Sequence, residues 1–460
     1  MSQAPERRVG EAPDWRAIAL MWCLAVVGAL VLTLTKRWLP VLGDEIDNLA
    51  IARNLLVEGA YSMRATAPFA PTAYREPVYP LLVALSVWLS PAHPALLAHC
   101  PFSMDPACAD LLAFARALNG PFHALAGLFA GLTARRLGAD PWGAALATLL
   151  VIVNPMAVGW RWAAQTEYLA LFLIAFGGWL AVGLAQRPRL GRAALLGLVA
   201  GALCLTKAIF LAGLLSLAVV VAVLAAIDGA RARLTATLVA AAVAALVVAP
   251  WIARNAVVLG DPVISQSRGG LMLTVRQQWD GLDGPGLACH ALWSIRASGD
   301  DWCRALFPPE VWRRFGYDAG SLWRDGHEAW DARVQAAMAE GLGRLDAERR
   351  EERRALLAGL DRPAMRLATT VTLFVQGMFI DEWLPLTLPA LAVLVWRAVA
   401  RRRWLVLLPL APGLWNAAIH PLLTPNIERF QIPTLSALAI AGGLILPGWG
   451  RALWARMRRR

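Results

Sequence analysis

The sequence predicts an all-α protein that threads a membrane about ten times, with two large outer loops, and three observations carry that prediction. Hydrophobic residues make up 58% of the 460 and charged ones only 17%. The apolar residues gather in runs long enough to cross roughly 30 Å of hydrocarbon as helices, whose backbone groups are satisfied internally. The arginines gather at the ends of those runs: Arg135-Arg136, Arg187/Arg189/Arg192, Arg231/Arg233, Arg401 to Arg403, and Arg456 with Arg458 to Arg460. That is the positive-inside arrangement. It accounts for the formal net charge of +12 and argues against a nucleic-acid partner.

Residues 17–35 form the first span. Basic residues Arg7, Arg8 and Arg16 precede it and no small-residue cleavage site follows, so a retained span is expected rather than a cleaved signal. Lys36 and Arg37 close this run, and 36–110 stays outside as the first loop. Within it Ile46, Leu49, Ala50, Leu56 and Val57 recur at roughly helical spacing, which predicts a helix over 45–57. The apolar stretch 78–90 is short and bracketed by Pro77, Pro80 and Pro91, as for a helix lying at the interface. Span 2 covers about 111–134, and spans 3 and 4 (142–160 and 166–185) form a hairpin with Trp160-Arg161-Trp162 and Glu167 at its outer turn. Spans 5 and 6 (191–206 and 209–227) meet outside at Thr206-Lys207, and span 7 (232–252) exits at Pro250-Trp251.

Residues 253–363 form the second outer segment, in which 325–358 reads as one solvated helix. Stretch 365–380 is expected to be interfacial or re-entrant, because a full span there would put Arg401 to Arg403 outside. Spans over 384–400, 404–420 and 430–447 complete the chain. Three regions follow: an N-terminal transmembrane module over 1–252 that includes the loop 36–110, a large outer loop with its interfacial helix over 253–383, and C-terminal helices with a basic inner tail over 384–460.

Of six cysteines, Cys23 and Cys204 lie inside apolar runs and are expected to be buried. Cys100 with Cys108, and Cys289 with Cys303, form local pairs on the outer side, which suits an oxidising periplasm. No cysteine pair has zinc-type spacing and the six histidines make no cluster, so neither a metal nor a cofactor is expected.

The candidate chemistry lies at the outer ends of the spans. Asp44 and Glu45 follow the first span, where carboxylates are poorly placed for lipid. Asp44 reads either as the N-cap of the 45–57 helix or as a general base for an acceptor hydroxyl. Glu167 opens span 4 and is either a solvated helix start or a site acid. Lys207 is one of two lysines; it either snorkels to headgroups or meets a phosphate as a compact charge. The loop Tyr74-Arg75-Glu76-Pro77-Val78-Tyr79-Pro80 presents Arg75, Glu76 and Tyr79, with Arg75 and Glu76 either a surface pair or parts of a rigid, site-facing loop. Arg254-Asn255 and Glu428-Arg429 are suited to headgroups or to a substrate phosphate. Carboxylates with Lys and Arg around an interfacial cavity suit transfer of a sugar from a polyprenyl phosphate. The phosphate leaves without protonation, so a base alone is needed, and cations stabilise the departing charge.

In this order the motifs resemble the polyprenyl-phosphate-sugar-dependent membrane glycosyltransferases of the GT-C class, such as protein O-mannosyltransferases and the aminoarabinose lipid A transferase. The resemblance runs over roughly residues 15–270 and rests on Asp44-Glu45, the Arg75–Pro80 loop, Glu167, Leu205-Thr206-Lys207 and Pro250-Trp251 with Arg254-Asn255, plus Glu428-Arg429-Phe430 before the last span. It implies Asp44 as the catalytic acidic residue with Glu45 supporting it, Glu167 as the second acid, and Lys207 and Arg75 near the lipid phosphate. It also implies inverting transfer without a catalytic metal, a lipid-linked sugar as co-substrate, and an inner-membrane enzyme whose site faces the periplasm. Segment 271–363 matches nothing in that pattern, so the acceptor stays open among protein, lipid and glycan. The alternative is a transporter or flippase for a lipid-linked or anionic substrate, with Asp44, Glu167 and Lys207 as a charge relay. That reading expects inverted repeats, and none is visible. A noncatalytic scaffold would tolerate loss of Asp44.

Overall fold

In the computed structural model the residues described are 15–35, 43–90, 109–266, 268–295, 299–378 and 382–458. Among them all regular structure is helical. Five helices are long and apolar enough to cross a membrane: Trp15–Leu34, Glu167–Gln186, Phe210–Ile227, Arg231–Leu259 and the continuous stretch Glu428–Met457. The second and last of these are mostly buried and form the centre of the bundle, whereas Phe210–Ile227 and Arg231–Leu259 turn most of their apolar surface outward. Leu215, Val219, Val223, Leu238 and Leu246 are exposed there, as a lipid solvent requires. At the centre, small residues let backbones meet. A Cβ on Gly143 would lie 2.3 Å from the Gly443 carbonyl oxygen, so the Pro141–Ile152 and Leu435–Met457 helices cross at glycines.

Several expected spans are interrupted. Span 2 is two helices, Ala109–Ala117 and Asn119–Arg136, with Pro121 in the first turn of the second. Span 3 stops at Ile152 and restarts as Pro155–Trp160, where Asn154 caps the new helix by accepting from Ala157 N at 2.9 Å. Span 7 runs on through Pro250 to Leu259, which places Arg254 and Asn255 on the helix rather than beyond it. Leu190–Cys204 and Leu384–Ala400 are apolar but shorter than the five long helices. Cys23 is exposed on the first helix, not buried, because it lies on the face turned away from Met21 and Ala25.

The segment after Leu259 builds its own small core from Leu271, Val275, Trp279, Leu322, Trp330 and Val334. The helix expected over 325–358 is in fact two, Leu322–Ala339 and Arg344–Ala358, folded back at Gly341, whose φ of +94° favours glycine. Cys289 and Cys303 are joined, tying Gly284–Trp293 to Gly299–Leu306. The Cys100–Cys108 pairing lies outside the described residues. Buried Arg276 pins this segment to the helices Ala411–Leu423 and Pro363–Met378, donating to Pro421 O at 3.0 Å and Thr369 Oγ1 at 2.8 Å and pairing with Asp280. Arg366 reaches the other oxygen of Asp280 at 2.7 Å, which fixes the helix Pro363–Met378 against the outer segment.

Candidate active site

The helix Asp44–Val57 begins at Gly43, whose φ of +50° lets the chain turn sharply into it. Gly43 is the N-cap and no side chain caps this end, so Asp44 does not serve as a cap. Its carboxylate instead collects arginines from three distant parts of the chain. Oδ1 accepts from Arg75 Nη2 at 2.8 Å, and Oδ2 accepts from Arg268 Nη2 at 2.8 Å and Arg429 Nη2 at 3.2 Å. Asp47, one helical turn on, takes Nε of Arg75 at 3.0 Å and Nη2 as well. Three guanidinium charges thus face two carboxylates, leaving a net positive cluster at the start of the helix.

Burial opposes the Asp44 charge, but Arg75 and Arg429, with Lys207 further off, outweigh it and hold the carboxyl well below the usual range. Asp47 is raised, since burial there exceeds the pull of Arg75. Asp44 keeps 21% of its side chain exposed, Arg268 25% and Arg429 11%, so the cluster is open to a ligand. Asp44 and Asp47 are each engaged by arginine. Among the described residues no group of three or more His, Cys, Asp or Glu is arranged to hold a metal ion.

Beside this cluster lies a second. Lys207 Nζ meets Glu167 Oε1 at 3.2 Å, and the ammonium stands 5.5 Å from the centroid of the Phe430 ring. Glu167 opens the helix Glu167–Gln186, and Lys207 lies in the turn between Leu190–Cys204 and Phe210–Ile227. Glu76 holds that turn by accepting from Ala208 N at 2.9 Å, while Val78 N donates to Leu205 O at 3.1 Å. Burial pushes the Glu76 carboxyl up, although the Ala208 amide works against it.

The remaining candidates are placed elsewhere. Glu45 is buried with both oxygens taken by Arg116 at 2.7 and 2.8 Å, and it also accepts from Ala164 N at 2.8 Å. It joins Asp44–Val57 to the bundle and does not face the arginines of Asp44. Tyr79 is buried and donates to Asn119 Oδ1 at 3.1 Å. Arg254 donates to Thr72 O at 2.8 Å, and Asn255 donates to Val263 O at 2.7 Å, so both brace loops around the site. Arg75, Arg429 and Asp44 are therefore brought together; Glu45, Tyr79, Arg254 and Asn255 are not. Arg268, Asp47 and Arg116 are additional. Asp47 was readable from its i+3 spacing to Asp44, and Arg116 from the rule that an arginine in an apolar run needs a partner. Arg268 carries no sequence signal.

An apolar cavity of about 660 Å³ lies between the helices Glu167–Gln186, Leu190–Cys204, Phe210–Ile227 and Arg231–Leu259. Leu173, Val199, Leu214 and Val248 line it, together with Cys204 and Leu211, which flank Lys207 in the chain.

No protein-family model matches this sequence, and no curated protein does. Among solved structures the chain is similar to ArnT from Cupriavidus metallidurans, in a crystal structure bound to undecaprenyl phosphate. The identity is 16%, over 96% of this chain and 79% of that one, with a TM-score of 0.40.

Proposed function

We propose that this protein is an inverting glycosyltransferase that moves a sugar from a polyprenyl-phosphate donor to an envelope acceptor on the periplasmic face of the inner membrane. The observation that carries the reading is the convergence of Arg75, Arg268 and Arg429 on one partly exposed carboxylate, Asp44. In the proposed cycle the donor phosphate takes over Arg268 and Arg429, the two more exposed arginines, with the charge-assisted geometry guanidinium groups favour. Asp44, relieved of two cations, regains basicity and keeps only Arg75 to orient it. It then accepts the proton of the acceptor hydroxyl as that oxygen attacks the anomeric carbon. The bond from that carbon to the phosphate oxygen breaks, and the phosphate leaves with the electron pair, stabilised by the same arginines. The apolar cavity lined by Leu173, Val199, Leu214 and Val248 suits the hydrocarbon of such a donor.

The test is to incubate the purified full chain with undecaprenyl phosphate carrying mannose, galactose or glucose, and with an envelope extract, and to measure release of undecaprenyl phosphate. Release dependent on the extract supports the reading. No release with any donor, from protein that binds neither these lipids nor undecaprenyl phosphate, sinks it.

A further inference from the structure

Glu167 and His420 each leave one buried polar atom without a hydrogen-bond partner: Oε2 of Glu167 and Nε2 of His420. The side chains belong to residues 1% and 6% exposed, and buried polar atoms are normally hydrogen-bonded. Both side chains lie near Lys207. Lys207 pairs with the other oxygen of Glu167, and its charge also bears on His420. The His420 ring stacks on Phe430 at 5.2 Å between centroids, the ring over which Lys207 stands.

His420 Nδ1 meets Thr424 Oγ1 at 3.3 Å, and that hydroxyl also lies 3.0 Å from His420 O, so Nε2 is unused whichever ring nitrogen carries the proton. The cluster thus offers an unused carboxylate oxygen, an unused ring nitrogen and an ammonium with two hydrogens beyond the one given to Glu167. A phosphate oxygen of a lipid diester has no hydrogen to give, and it would stand against the Glu167 carboxylate. Hydroxyl groups fit: each donates to an acceptor and receives from Lys207, while Phe430 supplies an apolar face.

We infer that Glu167, His420 and Lys207 form a hydroxyl-recognition subsite for the sugar of the donor lipid, separate from the arginine cluster that takes its phosphate. This rests on the proposed glycosyltransferase reading and assigns His420 a part in donor selection. The decisive variants are His420→Asn and His420→Gln. Asn keeps a polar atom near the Nδ1 position and removes the one at Nε2; Gln does the reverse.

Affinities of the full chain in detergent are measured for undecaprenyl phosphate and for undecaprenyl phosphate bearing mannose, galactose or glucose. The wild type is expected to prefer at least one glycosylated lipid over undecaprenyl phosphate. His420→Asn should lose about tenfold for that lipid and nothing for undecaprenyl phosphate, while His420→Gln stays within about threefold of wild type. Equal losses for both lipids, or a larger loss in Gln than in Asn, would show that His420 matters only through Thr424 and overturn the inference. A wild type that binds undecaprenyl phosphate but prefers no glycosylated lipid overturns it too, leaving the donor-phosphate reading standing. Binding of neither lipid removes both.

Discussion

Replacing Asp44 by Asn separates its two roles, anchor for three arginines and proton acceptor. The carboxylate accepts from Arg75, Arg268 and Arg429 at 2.8, 2.8 and 3.2 Å. Asn keeps one acceptor and turns an amide N–H₂ toward guanidinium groups, so at least one charge-assisted bond is lost. Arg75 retains Asp47, and Arg268 and Arg429 are partly exposed to solvent, so the loss is confined to about 1–3 kcal/mol and a few degrees in the melt. Donor binding should move the other way. The phosphate no longer competes with Asp44 for Arg268 and Arg429, and undecaprenyl phosphate should bind about three- to tenfold tighter. Turnover should fall about 10²–10⁴-fold, the usual value of a general base. The assay is sugar transfer by the purified variant beside a thermal melt and a lipid-binding titration. A folded variant with near-normal transfer refutes the base role and makes Glu167 the first candidate. A folded variant that binds undecaprenyl phosphate more weakly refutes the exchange of Asp44 for phosphate on the arginines.

Acid stability gives a further check on the same group. The Asp44 carboxyl is depressed from 3.8, so its contribution is complete above about pH 4 and is lost as pH falls toward the folded value. The melting difference between wild type and Asp44→Asn should shrink below pH 4; a pH-independent difference would contradict the ion-pair account. Glu76, raised by burial, acts in the opposite sense but is common to both proteins, whereas Asp47, raised by burial and in part by the Asp44 charge, is raised less in the variant. Glu45→Gln should destabilise by about 3–5 kcal/mol because it removes a buried charge that pairs with Arg116 through both oxygens, whereas Glu45→Met with Arg116→Met should cost less, and equal melts for the two would count against a buried pair. Removing Cys289 and Cys303 together, which opens a separation of 14 residues, should lower stability by about 3 kcal/mol in a denaturant series; free thiols in the native protein on non-reducing peptide mapping would reject the link. Reporter fusions near residue 300 should read outside and those near 136, 189 and 402 inside; an outside result at 402 would mean that Pro363–Met378 crosses the membrane.

Composition and run length were enough to determine that this chain is helical and membrane-bound, because a helix satisfies its own backbone and an apolar run long enough to span has few other fates. Trp15–Leu34, Glu167–Gln186 and Phe210–Ile227 lie within two residues of where the sequence put them. Asp44, Arg75, Lys207 and Glu167 stood out because charges beside apolar runs are costly without a purpose. Helix breaks were harder to read: Pro121 and Pro155 interrupt expected spans, while Pro250 sits inside an unbroken 29-residue helix. A proline's effect depends on what neighbouring helices do with the carbonyl it leaves unbonded. Pairing could be decided only by the tertiary structure. Arg268 and Arg429 reach Asp44 across 224 and 385 residues, and Glu45 turns to Arg116 although it adjoins Asp44 in the chain. Periodicity encodes which face of a helix is buried, at a range of a few residues. Which charge that face meets depends on how distant segments pack, and neighbouring carboxylates on a helix point about 100° apart, toward different partners.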